Sequence, residues 1–451
     1  MTRANPHQKV YIKTLGCKVN SFDSQVLEHR FRSQGYSIST NAADADIQVI
    51  NSCSVTAAAE RETRYLLRHF RRENPQGKRI VTGCYAQIDS AGLAKLEDVD
   101  FVIPNESKTD LVAILGDKLS ASDPSKLPEN TRPVEGNRQS QFKTGITLFD
   151  HALSDRTRAF LKVQDGCNGF CAYCQIPYAR GASVSVPEKD VLEKVHHLLN
   201  EGVPEIVVTG IHVGDYGRDF ENVEEEPFVT LIEKILAEGK LKRLRISSLE
   251  PSEVSVSLLR LLKKHEDRVC DHFHLPLQSG DNRILRLMRR TYTREEYLGK
   301  VNVIREFFPH AHISADVIVG FPQEGDEEFQ ETVSFINELR LGSLHVFPYS
   351  KRPNTLAQKL PGHVPVEAIK ERAKVLRQLS GELYYRFSSQ FVGERLSILW
   401  EQQRDKEGRL LGKSRNYLSI CAPRGKKEPT PGTISLGRMK GFVDGKTLLA
   451  I

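Results

Sequence analysis

The sequence predicts an α/β protein in three parts: an N-terminal parallel-sheet α/β domain, a central partial (β/α)6 barrel and a small C-terminal β-barrel. Three observations predict it. Short apolar runs alternate with helix-like stretches over residues 8–118. Six strand-like runs then recur over residues 156–388 at intervals of roughly 30 to 45 residues, with helical stretches between them. The last segment, residues 389–451, holds only short strands broken by Gly and Pro.

In the first segment, Val10–Leu15, Asp46–Ile50 and Arg79–Thr82 read as buried strands, and Ser21–Gln34 and Ala57–Arg72 have helical spacing. Strand–helix alternation of this kind predicts a parallel sheet with helices on its faces. Residues 119–155 turn polar, rich in Ser, Pro, Asn and charge; with little to bury, they read as a partly disordered linker. The six central strands are Arg158–Val163, Glu205–Thr209, Leu244–Ile246, His272–His274, Ile313–Val319 and Ser343–Phe347. Helices over Glu188–Asn200 and Glu295–Phe308 separate them, and Ala368–Ser388 leads into the tail. In a barrel of this type the active site lies at the C-terminal ends of the strands. The tail strands are Arg395–Trp400, Gly408–Ser414 and Thr433–Gly437.

Charge and composition narrow the class. From Ser389 to Ile451 there are 12 Lys/Arg against 6 Asp/Glu, whereas the rest of the chain balances. A basic surplus confined to a short terminal segment points to nucleic acid, although solvated basic faces are commoner. No stretch approaches the roughly 18 apolar residues that cross a bilayer. The start lacks an apolar signal-peptide core, so a cytoplasmic protein is expected. Eight cysteines in 451 residues do not form a secreted disulfide framework. Six fall into two groups of three, and Cys270 and Cys421 are left as ordinary thiols.

Cys167, Cys171 and Cys174 form C-x3-C-x2-C directly after the first barrel strand. Zinc sites usually present four ligands, often in C-x2-C pairs. Three thiolates with uneven spacing fit a [4Fe–4S] cluster with one open iron, able to chelate the amino and carboxylate groups of S-adenosylmethionine. Cys17, Cys53 and Cys84 are far apart in sequence, yet each follows one of the three N-terminal strands. Loops at the C-terminal ends of parallel strands share one edge, so these three can converge on a second cluster. The alternative is three separate structural thiols.

The central spacing resembles the signature of the radical S-adenosylmethionine superfamily. That resemblance implies that Tyr173 packs near the adenine of the cofactor. It also places cofactor contacts after the later strands, at Gly210, Ser247, Gln278 and Asp316. Three N-terminal segments, Lys13–Asn20, Ile50–Thr56 and Val81–Gln87, are similar to the N-terminal domain of the methylthiotransferases. Val163–Gly181 resembles their radical domain, and the basic tail resembles their TRAM domain. Within the family, Leu-Gly-Cys-Lys-Val-Asn and Ser-Ser-Leu-Glu-Pro are most similar to the MtaB type, which acts on N6-threonylcarbamoyladenosine next to the tRNA anticodon. The type acting on isopentenyladenosine has Gln-Met-Asn after the first Cys, and the type acting on a ribosomal protein is a weaker match. Two segments depart from the family: Ser185-Val186-Pro187 replaces Ser-Arg-Pro, and Arg352-Pro-Asn-Thr replaces Gly-Thr-Pro-Ala.

The resemblance implies two [4Fe–4S] clusters and two uses of S-adenosylmethionine, one as methyl donor to sulfur and one as source of the radical that removes hydrogen from C2 of the adenine. It implies a tRNA anticodon loop, an external electron donor and a sulfur donor as partners, with no membrane and no DNA. Glu250 is expected to accept hydrogen bonds from the substrate hydroxyl and urea groups, unless it merely caps the helix beginning near Pro251. The substrate carboxylate then needs a cation, for which Arg245 and Lys351 are candidates. The rival class is a non-catalytic zinc- or cluster-bearing RNA-binding protein, which needs neither an open iron nor a barrel.

Overall fold

The computed structural model describes residues 8–120, 157–222, 225–425 and 428–451. The linker expected over residues 119–155 lies outside the described residues from 121 onward.

The N-terminal sheet is built from β1 (Lys9–Thr14), β2 (Ser37–Ile38), β3 (Ile47–Ser52), β4 (Lys78–Gly83) and β5 (Phe101–Val102). Its order is β2-β1-β3-β4-β5 and every pairing is parallel. Helices α1 (Lys18–Ser33), α2 (Ala57–Glu73), α3 (Cys84–Ile88), α4 (Ser90–Ala94) and α5 (Leu111–Ser120) complete the domain. Alternate residues of a strand face opposite sides, so the central strands feed two cores. Ile47, Val49 and Ile80 pack with Leu27, Phe31 and Leu111 on one side. Ile50 and Val81 pack with Leu67, Phe70 and Tyr85 on the other. The two edge strands, of two residues each, carry too little periodic pattern to be read from sequence.

All six barrel strands form where the spacing predicts them: β6 (Arg158–Lys162), then, beyond a short antiparallel ribbon of β7 (Gln164–Asp165) and β8 (Val184–Ser185), β9 (Glu205–Thr209), β10 (Leu244–Ile246), β11 (His272–His274), β12 (His312–Val319) and β13 (Ser343–Pro348). The first three pair in parallel as β10-β9-β6 and the last three as β11-β12-β13; parallel bridges Leu244↔Val269 and Ser248↔His274 join the halves. The result is an open, six-stranded arc. Helices α6 (Ile176–Arg180), α7 (Glu188–Asn200), α8 (Pro227–Ala237), α9 (Val256–Lys264), α10 (Asn282–Leu287), α11 (Arg294–Phe307), α12 (Asp326–Leu339) and α13 (Val366–Ser389) connect the strands and lead out of them. Helix α1 of the N-terminal domain packs along β6, the free edge of the arc.

The tail closes as a five-stranded barrel of order β14-β15-β16-β18-β17, from β14 (Arg395–Arg404), β15 (Leu410–Ser414), β16 (Ser419–Cys421), β17 (Ile434–Phe442) and β18 (Leu448–Ala450). Ile398, Trp400, Leu410, Ile420 and Leu448 fill it. It docks at the N-terminal ends of the central strands. Arg158 at the start of β6 pairs with Glu401 at 2.6 Å. Arg243 donates to the carbonyls of Lys413 and Ser397 at 3.2 and 3.1 Å. The Tyr417 ring packs against His272, with centroids 4.7 Å apart and planes tilted by 31°.

This docking corrects one expectation. Arg245 does not face a substrate at the strand ends; it is fully buried in the floor of the barrel. Its guanidinium bonds Glu205 at 2.8 Å and the carbonyl of Arg415 at 2.9 Å, with the Tyr417 ring 4.7 Å away. Residues two apart on a strand share a face, so Arg245 lies one step below Ser247 in the lumen.

Candidate active site

The N-terminal cysteines follow β1, β3 and β4, three adjacent strands whose register aligns Thr14 with Asn51 and Ser52 with Gly83. All three therefore emerge on one edge. Two glycines let the loops close. Gly16 has φ +94°, and a Cβ there would sit 2.8 Å from both Cβ and Sγ of Cys53. Gly83 has φ +91°, and a Cβ there would meet the Ser52 carbonyl at 2.5 Å. Asn20 staples the first loop to the second, its amide donating to the carbonyls of Leu15 and Ser52 at 2.8 and 2.9 Å.

The central cysteines sit on the loop between β7 and β8. Gly166 (φ +71°) lets this loop press on the next turn, since a Cβ would fall 1.9 Å from the Ala182 carbonyl. Donors converge on the sulfurs: Gly169 N–H on Cys167 at 3.3 Å, Ile176 N–H on Cys174 at 3.4 Å and the Arg290 guanidinium on Cys171 at 3.3 Å. His212 Nδ1 lies 3.7 Å from Cys167 Sγ, and its Nε2 is 2.6 Å from Glu253.

Both trios fit an iron–sulfur cluster better than a single metal ion. Sulfurs around one tetrahedral zinc lie about 3.8 Å apart, given Zn–S bonds of about 2.3 Å. Among the described residues, the one group whose ligand atoms all lie within 4.8 Å of one another is His274, Asp316 and His345, not either trio. Burial pushes the Cys53 thiol up to about 12, and Cys84 and Cys17 add to the shift. Burial likewise pushes Cys174 up to about 12, with Cys171 and Cys167 adding to it. Thiols that raise one another in this way form a ligand set that a bound cation would relieve.

Beside the first trio lies a buried ion network that spans two domains. Arg180 on α6 grips Asp165 with two bonds of 2.9 Å, reaches Asn20 Oδ1 at 2.5 Å and meets Asp23 of α1 at 3.1 Å. Asp23 also bonds Lys108 at 2.6 Å and Lys162 at 2.9 Å. Two carboxylates thus face three cations. Burial pushes the Cys84 thiol up, while Arg180 and Lys108 beside it pull it down. An anionic cluster on Cys17, Cys53 and Cys84 would meet the surplus positive charge.

One cavity joins the two halves. Its N-terminal wall is Val55 and Thr56, which follow Cys53; its barrel wall includes Tyr173, between Cys171 and Cys174, with Gln278, Asp316, Ile318 and Phe347. Of the five expected cofactor contacts, Tyr173, Gln278 and Asp316 line this cavity. Burial raises the Asp316 carboxyl, but hydrogen bonds from His274 and His345 outweigh it and hold the group below the usual range. Ser247 is buried at the end of β10, and its hydroxyl has no partner among the described residues. Gly210 backs onto Gln164: a Cβ there would lie 2.9 Å from the amide oxygen.

The expected substrate contacts separate. Glu250 stands at the N-cap position before Pro251, and its backbone N–H donates to Glu253 at 2.8 Å. Its carboxylate, however, pairs with Arg290. Glu250 therefore orients the guanidinium that contacts Cys171 and does not line the cavity. Lys351 is exposed at the rim, between the cavity residues Ser350 and Arg352. Arg352, where the chain departs from the family pattern, is buried; it pairs with Glu60 of α2 and bonds Gln175, the residue after Cys174, at 3.0 Å. Arg180, Arg290, His212 and Arg352 were not singled out from sequence as functional, although Arg180 stands in the quoted segment Val163–Gly181. Cys270 and Cys421 are buried, free thiols.

Comparison with known proteins places this geometry. Residues 161–336 match the Radical SAM superfamily, and residues 9–104 match Uncharacterized protein family UPF0004. The chain resembles the radical S-adenosylmethionine methyltransferase TsrM from Kitasatospora setae in fold, with a TM-score of 0.54 at 12% identity over 78% of this chain and 77% of that one. Fold and cysteine loop together define a radical S-adenosylmethionine enzyme. Threonylcarbamoyladenosine tRNA methylthiotransferase MtaB of Aquifex aeolicus is 39% identical, covering 91% of this chain and 96% of the relative. The Bacillus subtilis protein of the same name is 36% identical, covering 91% and 89%. A tRNA-2-methylthio-N(6)-dimethylallyladenosine synthase of Protochlamydia amoebophila is 31% identical, covering 96% and 94%. The chain belongs to the MtaB-type tRNA methylthiotransferase family.

Proposed function

We infer that the chain methylthiolates C2 of N6-threonylcarbamoyladenosine in tRNA, using two [4Fe–4S] clusters and S-adenosylmethionine. The observation that carries this reading is the shared cavity, one wall of which follows Cys53 while the other contains Tyr173. A zinc-bearing RNA-binding protein has no use for two cysteine-bearing loops whose neighbouring residues, Val55 and Thr56 on one side and Tyr173 on the other, line one cavity.

When bound, the clusters and S-adenosylmethionine supply the methylated sulfur and the radical that exchange hydrogen for methylthio on the adenine. The chain's own residues hold and shield. Arg290, braced by Glu250, donates to Cys171 and fixes that sulfur. Gln278 and Asp316 present polar groups to the cavity, while Ile318, Phe347 and Tyr173 form apolar wall that excludes water. Arg180 and Arg352 clamp the N-terminal domain to the barrel, so the two loops keep a fixed relation. The reading includes an external electron donor, a sulfur donor and a cytoplasmic location, the compartment of its tRNA substrate. Among the described residues no helix is long and apolar enough to cross a membrane.

Lys351 is the cation we assign to the substrate carboxylate. Purified, cluster-loaded enzyme should form the 2-methylthio nucleoside on tRNA carrying threonylcarbamoyladenosine and none on tRNA carrying dimethylallyladenosine. Lys351→Ala should raise KM for the first tRNA about tenfold, the equivalent of about 1.4 kcal/mol for one partly solvated charge-assisted bond, and leave kcat unchanged. Equal turnover of both tRNAs would place the chain with the dimethylallyladenosine enzymes instead.

A further inference from the structure

We propose that the outer face of α2 is a docking surface for the tRNA backbone, a reading that rests on tRNA being the substrate. Helix α2 buries Thr63, Leu67 and Phe70 against the sheet. Arg61, Tyr65, Arg68 and Arg72 fall on the opposite side at spacings of four, three and four residues, which on a helix makes one stripe. All four are exposed. Arg61, Arg68 and Arg72 have no carboxylate within ion-pair distance among the described residues, whereas Arg71 pairs with Asp98 at 3.4 Å and Arg64 bonds the Tyr85 hydroxyl at 2.8 Å. On two other surface helices, Lys234 pairs with Glu188 at 2.6 Å and Arg294 with Glu331 at 2.6 Å. Glu60, the carboxylate in the first turn of α2, is turned inward onto Arg352.

Position decides the occupant. Thr56, the N-cap of α2, lines the cavity, so the stripe starts between one and two helical turns from it, at Arg61, and runs about 16 Å to Arg72 at about 1.5 Å per residue. The C-terminal barrel, where the basic surplus of the sequence lies, docks on the floor at the opposite ends of the strands. Phosphates flanking a nucleotide held in the cavity therefore meet α2 first. Tyr65, 53% exposed and stacked on His69 at 5.9 Å, gives the stripe an aromatic face on which an unpaired base can stack. Unpaired guanidiniums in a row with an aromatic between them fit an RNA strand.

The test is a salt titration of tRNA binding by the full, cluster-loaded chain. Each single-strand phosphate contact contributes about 0.7 to the slope of log affinity against log salt. The triple variant Arg61→Gln/Arg68→Gln/Arg72→Gln should lose about 2 from that slope and bind less tightly at low salt. Its KM for tRNA should rise with kcat at saturating tRNA unchanged. Arg61→Lys/Arg68→Lys/Arg72→Lys should keep the wild-type slope, which excludes a folding defect as the cause. An unchanged slope and affinity in the Gln variant overturns the assignment and leaves the stripe to an acidic protein partner. The wild-type titration separates this failure from that of the tRNA reading: no tRNA binding by the wild type overturns both.

Discussion

Replacing Cys17, Cys53 and Cys84 with alanine together is expected to remove about half the iron and all of the methylthiolation, while reductive cleavage of S-adenosylmethionine continues. The three sulfurs ride on loops of the N-terminal sheet, whose cores are separate from that of the barrel. The cleavage chemistry belongs to the loop of Cys167, Cys171 and Cys174, fixed from within the barrel by Gly166, His212 and Arg290. Thiolates are the only plausible ligands in each loop, so the two losses should be independent. The reciprocal triple variant should also lose about half the iron, but with it both cleavage and product. Because Cys53 and Cys84 are buried, a Cys→Ser triple that nearly preserves side-chain volume serves as the control for folding. Iron content and spectrum unchanged in both the Ala and Ser variants of the first set would mean that no auxiliary cluster exists.

Arg180→Gln should lower the reduction potential of the auxiliary cluster, destabilise the domain junction by about 3 kcal/mol and cut product formation more than about tenfold. Arg180 touches Asp165 of the barrel and both Asn20 and Asp23 of the N-terminal domain, and Lys162 is a second bridge between Asp165 and Asp23. Its loss leaves Asp165 with Lys162 at 2.7 Å and Asp23 with Lys108 at 2.6 Å. Neither carboxylate is stranded, which puts the cost at the low end of the range for broken buried pairs. The network nevertheless loses its surplus positive charge beside Cys84, and a cluster with less positive charge nearby is harder to reduce. Arg180→Lys should restore much of the potential and little of the bidentate grip. A potential unchanged in Arg180→Gln, measured by spectroscopically monitored redox titration, would reduce Arg180 to a structural clamp.

The convergence of Cys17, Cys53 and Cys84 was legible because each follows a strand, and parallel strands deliver such residues to one edge. The ion network was not legible: Arg180 and Asp23 are 157 residues apart, and only the packing of α1 along β6 brings them together. Arg245 was misplaced because its nearness to Ser247 in sequence outweighed the strand geometry, which puts the two residues at different depths of one lumen. The basic stripe of α2 disappeared in the overall charge balance. Its arginines are offset by acidic helices such as α12, where Asp326, Glu327, Glu328, Glu331 and Glu338 carry the opposite sign. Glu250 was read correctly as standing before the turn at Pro251, but nothing local pointed to Arg290, forty residues on.

Mass spectrometry of tRNA nucleosides from a strain lacking the gene tests the central claim most directly, because it reads the product itself without a choice of sulfur or electron donor. The account predicts that the 2-methylthio derivative of threonylcarbamoyladenosine disappears, with threonylcarbamoyladenosine accumulating in its place. The wild-type gene should restore it; a gene lacking either cysteine trio should not. Persistence of that nucleoside in the deletion strain, or its restoration by either trio variant, would contradict a single cavity served by two clusters.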